Sequence, residues 1–98
     1  MDSAYELMFE TTIRSFLGDK ANHIAGQVHS EKHRKEWYKK AIKVVIKKIH
    51  TIDTNTHHKE QLALWSERAL NKLNNRYYNE SEFTLCLLRL VGALLGLT

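Results

Sequence analysis

From its N-terminus the chain repeats apolar side chains every three or four positions. Tyr5, Met8, Phe9, Thr12, Ile13 and Phe16 fall on one face of a helix that Asp2 and Ser3 can cap and that runs to about Leu17. Gly18 supplies the left-handed residue that ends a helix, and Asp19 can cap the next. Ala21, Ile24, Ala25 and Val28 repeat the pattern over a short second helix. Ser30 and Glu31 mark a third start, followed by a stripe of Tyr38, Ala41, Ile42, Val45, Ile49 and Ile52. Positions 21 to 52 also read as one heptad seam, but Glu31 and Lys35 interrupt it, so two helices are expected there.

Asp53-Thr54-Asn55-Thr56 is a run of turn and cap residues. Thr56 is the expected cap of the next helix, with Leu62, Trp65, Ala69, Leu70 and Leu73 facing inward. Residues 74–79 read as a connection, and Ser81 as the cap of a last helix from Glu82 to about Leu97. No segment sustains the two-residue alternation of a half-buried strand. Ile42-Lys43-Val44-Val45-Ile46 is β-prone by composition but lies inside a longer helical pattern, and length decides such cases. The expected fold is therefore all-α: one domain over residues 1–98, a compact helical bundle of four to six helices. The absence of proline fits a chain of helices joined by short connections.

The last helix is unusual in its breadth. Between Phe83 and Leu97, 11 of 15 residues are apolar, more than a stripe facing one core requires. The run is shorter than the roughly 20 residues a membrane span needs, and Arg89 interrupts it. Its narrow remaining face carries Leu85, Arg89, Gly92 and Gly96. Two readings follow: a central helix packed on several sides, or a surface for a protein partner or for self-association through the 83–97 helix. Cys86 within it reads as a small buried apolar side chain.

Charge sharpens the picture. The chain's formal net charge is +4, but residues 31–50 hold eight Lys and Arg against two Glu, a local +6. On a helical wheel Lys32, Lys39, Lys43, Lys47 and His50 cluster opposite the apolar stripe, with Lys40 beside them. From Lys32 to Lys47 this ridge is about 22 Å long at about 1.5 Å per residue. Lysines so placed can follow successive phosphates as point charges, giving affinity without sequence choice. Glu36 sits within the ridge and opposes that reading. Solvation of an amphipathic helix is the plainer explanation of the same lysines. Trp37 on the flank of that helix, and Arg76, Tyr77 and Tyr78 in the connection, are candidate stacking groups for bases. Packing as an anchor for the helix entry is the plainer explanation of the tyrosines, and Trp37 fits the core equally well.

Catalytic and metal chemistry find no support. The glycines at 18, 26, 92 and 96 are too scattered for a phosphate-cradling loop. His29 and His33 have helical ligand spacing, but Ser30 between them reads as a helix start and no further ligands follow. No arginine precedes a histidine by four to six residues, the pattern of the small helical ribonucleases of toxin systems. No catalytic residue, cofactor, metal or small-molecule substrate is expected. The lone cysteine and the acidic start, Met-Asp-Ser-Ala-Tyr-Glu, read as a reducing cytoplasmic location without a leader or membrane span.

In size, charge and helix content, though in no motif, the chain resembles the small helical subunits of CRISPR ribonucleoprotein complexes. It also resembles phage-encoded inhibitors and bacterial adaptor domains. The expectation is a non-catalytic nucleic-acid-binding accessory protein or nucleoprotein subunit, using Lys32, Lys39, Lys40, Lys43 and Lys47 on the helix at about 31–52. The alternative is a helical protein–protein interaction module, as homodimer, adaptor or inhibitor, using the apolar C-terminal helix.

Overall fold

Among the described residues, four helices form where the sequence pattern places them. The computed structural model describes residues 3–18 and 31–96, with the side chains of 7–18 and 34–96. Helix α1 (Ser3–Leu17) buries Phe9, Ile13 and Leu17. Gly18 follows it with φ +58°, the left-handed conformation that glycine adopts without a Cβ clash. The short helix expected over 21–28, and its separation from the next, lie outside the described residues. Helix α2 (Glu31–Ile49) buries Trp37, Tyr38, Ala41, Ile42, Val45 and Ile49. Helix α3 (Thr56–Asn74) contributes Leu62, Ser66, Ala69 and Leu73. Helix α4 (Glu80–Leu94) contributes Phe83, Cys86, Leu87, Leu90, Val91 and Ala93. Among the described residues there is no strand.

Two starts fall one or two residues earlier than expected. Asn55, not Thr56, caps α3, its side-chain oxygen accepting from the His58 N–H at 2.7 Å. Asn79, not Ser81, caps α4 by accepting from the Glu82 N–H at 3.0 Å. Each cap satisfies one of the four donors that a helix N-terminus leaves without an intrahelical partner. Lys72 of α3 and Glu82 of α4 pair at 3.1 Å across the short connection.

The helices pack as a ring: α1 on α2, α2 on α3, α3 on α4, and α4 back on α1. Helices α2 and α4 are therefore diagonal partners, and so are α1 and α3. Aromatic side chains bridge the first diagonal. Tyr38 of α2 meets Phe83 of α4 with ring centroids 5.5 Å apart, while Trp37 sits edge-on to Tyr38 at 5.3 Å. Such edge-to-face pairs add about 0.5–1.5 kcal/mol each beyond the area they bury. The outer face of α2 and the outer face of α4 therefore point away from each other.

Candidate nucleic-acid interface

Among the described side chains of α2 the fully exposed ones are Glu36, Lys40, Lys43 and Lys47, followed just past its end by His50. Their spacing of four, three, four and three residues makes one straight stripe opposite the buried stripe. Lys40, Lys43 and Lys47 stand within about 10 Å along the axis at about 1.5 Å per residue. None of the three has an acidic partner among the described residues.

The remaining cations of the helix are placed differently. Lys39 is half-buried, with Nζ 3.9 Å from the Glu36 carboxylate, so it flanks the stripe and Lys40 takes the central place expected for it. The side chain of Lys32 lies outside the described residues. Lys35 lies over the Tyr78 ring, its Nζ 3.7 Å from the centroid. Lys48 donates from Nζ to the Phe16 carbonyl in the last turn of α1, and lies 4.8 Å from the Phe16 ring centroid. A cation there satisfies a carbonyl that has no intrahelical partner and opposes the negative end of the α1 dipole. Lys48 is thus part of the packing of α1 on α2, and Lys47 beside it is not.

The candidate stacking groups divide in the same way. Trp37 is 3% exposed, with the Arg14 guanidinium 5.1 Å from its ring centroid, and is closed to a base. Tyr78 is half-buried beneath Lys35. Tyr77 is 79% exposed, with Arg76 5.6 Å from its ring. Lys35 ties Tyr78 to the N-terminal half of α2, so Arg76 and the open Tyr77 ring lie near that end of the helix, on the Lys35 side rather than on the lysine stripe itself. His57 is exposed and His58 half-buried at the start of α3, while the pair His29 and His33 lies outside the described side chains. Among the described residues, no three His, Cys, Asp or Glu gather around a possible ion. No described helix is long and apolar enough to cross a membrane.

Across the bundle, α4 is both a core helix and an open one. Its inner side is buried against α1 and α3, yet Leu85, Leu88 and Leu95 are 60%, 44% and 56% exposed. With Gly92 they recur at i, i+3, i+7 and i+10, a continuous outer stripe. A Cβ built on Gly92 would meet nothing within 4 Å, so no described helix exploits the close approach this glycine permits.

Beside that stripe lies an arrangement absent from the sequence reading. The Arg68 and Arg89 guanidinium carbons sit 5.0 and 5.9 Å from the centroid of the Trp65 ring. Trp65 and Arg68 share a face of α3 at i, i+3, a signal visible in the sequence. Arg89 comes from α4, and only tertiary packing brings it there.

No family model matches the chain, and neither a curated protein nor a solved structure does. The functional reading therefore rests on these surfaces alone.

Proposed function

We propose that this protein is a non-catalytic nucleic-acid-binding accessory subunit that holds a phosphate backbone along the outer face of α2. One observation carries the reading: Lys40, Lys43 and Lys47 are exposed in register, with no acidic partner among the described residues. A nucleic-acid strand presents a phosphate about every 3.4 Å of duplex axis, so a stripe of about 10 Å meets two or three of them. Arg76 and the Tyr77 ring near one end of the helix offer a further charge and a stacking face. Glu36 stands at the same end of the stripe and opposes a phosphate at that point.

Fluorescence anisotropy of labelled single- and double-stranded oligonucleotides, at low and then moderate salt, tests this. Micromolar or tighter binding is expected, falling steeply as salt rises. Lys40→Glu with Lys43→Glu and Lys47→Glu should abolish it while the circular dichroism of the helices is unchanged. Neutralising the three as glutamines should flatten the log–log salt slope by about 2–3. Affinity unchanged by the triple reversal would overturn the reading.

A second reading has its own observation. The outer leucines of α4 fit a protein–protein interaction module, either alongside the first role or in place of it. Sedimentation of the protein over a concentration series separates self-association from a hetero-partner.

A further inference from the structure

An open groove of about 540 Å³ runs between α3 and α4, lined by Trp65, Arg68, Lys72, Leu85, Cys86 and Arg89. Its charge is all of one sign except where Glu82 already holds Lys72 at 3.1 Å. Neither Arg68 nor Arg89 has a carboxylate partner among the described residues. Both lean on one indole ring, which narrows their rotamers and leaves the planar N–H forks available. Two partly ordered forks attending the same ring are each well suited to bidentate pairing with a carboxylate. Apart from the polar Asn71, the rest of the wall is apolar. Leu85 is 60% exposed at its rim, and Trp65 is half-buried.

We infer that this groove docks an acidic segment of a partner protein. Its carboxylates pair with Arg68 and Arg89, and an adjacent apolar side chain covers Leu85 and the edge of Trp65. The inference rests on the second reading above and gives that partner a chemistry. Charge complementarity selects an anionic occupant, and the apolar wall selects a peptide over a nucleic-acid backbone. A phosphate chain would leave Leu85 uncovered. Base stacking is disfavoured because guanidinium groups already attend the Trp65 ring. The groove also lies on the side of α4, diagonal to α2, so an acidic segment here and a phosphate backbone on the lysines do not compete.

The test is selection of a displayed library of random dodecapeptides on the immobilised protein, in parallel with its Arg68→Gln/Arg89→Gln variant. Both arginines are exposed, so the variant should keep its helical signal. Enriched peptides should carry Asp or Glu beside a large apolar residue. As synthetic peptides they should shift the Trp65 indole N–H resonance and bind the variant at least about tenfold more weakly, as loss of charge-assisted hydrogen bonds implies. Lys43→Glu should leave that affinity within about twofold, since exposed charges this far apart are largely screened.

Enrichment without acidic residues, or equal binding by the arginine variant, would overturn the groove assignment. Peptides lost on Leu88→Asp but kept by the arginine variant would overturn it too, while leaving α4 standing as an interface. An oligonucleotide that moves the Trp65 resonance when the peptides do not would overturn it in favour of nucleic acid. No enrichment on either protein would remove both the groove and a peptide-docking role for α4.

Discussion

Helices α2 and α4 have fully buried inner stripes and outward-facing stripes of the same heptad-like spacing, yet water meets quite different chemistry on the two. Among the described side chains, α2 exposes Glu36, Lys40, Lys43 and Lys47; α4, past its polar first turn of Glu80, Ser81 and Glu82, exposes Leu85, Leu88 and Arg89, with Leu95 just beyond its end. Lysines are costly to strip of water, so the α2 face suits a partner that stays hydrated and charged. Leucines gain about 25 cal/mol for each Å² removed from water, so the α4 face suits one that excludes it. Salt tells the two apart: it should weaken anything held by α2 and spare most of what is held by the α4 leucines. The fold builds both faces with one device, a helix with one stripe in the core, and leaves the chemistry of the opposite stripe unconstrained by packing.

The largest expected effect tests whether the α4 face is open at all. Leu87 is fully buried and Leu88, its neighbour, is 44% exposed. Leu87→Ala should cost about 2–5 kcal/mol in urea unfolding through the cavity it leaves. Leu88→Ala should stay within about 0.5 kcal/mol. A comparable loss at Leu88 would break the comparison, because it would mean that a second copy of the chain covers the outer stripe in solution. The sedimentation series would then show a dimer.

How much of this was legible in the sequence follows from what each feature depends on. The buried stripe of α2 was fully readable at Tyr38, Ala41, Ile42, Val45 and Ile49, because it is a periodic property of one segment. So was the glycine stop at Gly18. The caps shifted because Asn55 and Thr56, and likewise Asn79 and Ser81, are competent cap residues standing close together. Hydrogen-bond geometry chose between them. On α1 the pattern favoured Met8 for the core, where the structure places Leu17 instead. That choice depends on where α2 and α4 lie. Trp37 was ambiguous for the same reason: Arg14 of α1 covers its ring. A helical wheel treats a helix as a cylinder in water, so any role set by a neighbouring helix is invisible to it. The Trp65 cluster, which needs Arg89 from α4, is the clearest case.

Lys47 and Lys48 isolate that point and give the next effect in size. On a wheel both are surface lysines near a helix C-terminus. In the structure Lys48 alone reaches the Phe16 carbonyl and lies against the Phe16 ring. Lys48→Met should cost about 1–2 kcal/mol, through a lost charged hydrogen bond and a lost interaction with the α1 dipole. Lys47→Met should stay within about 0.5 kcal/mol. The binding assay should rank them the other way, with Lys47→Met reducing oligonucleotide affinity more. A matched rank order in the two assays would mean that structural and functional lysines are not separate sets.

The smallest effect bears most directly on why α2 carries its charges. Lys43 has lysines at i−4, i−3 and i+4, namely Lys39, Lys40 and Lys47. Like charges at such spacing destabilise an exposed helix by about 0.2–0.5 kcal/mol per pair, and Glu36, the acid on the described part of the face, is 3.9 Å from Lys39 instead. Lys43→Gln should therefore raise stability by about 0.5 kcal/mol in urea, most clearly at low salt, where screening is weakest. If the variant also binds oligonucleotide more weakly, the stripe is a surface whose repulsion the fold tolerates for the sake of a polyanion. A gain in stability with unchanged binding would make the same lysines a solvating coat, and the open face of α4 would then be the better place to look for function.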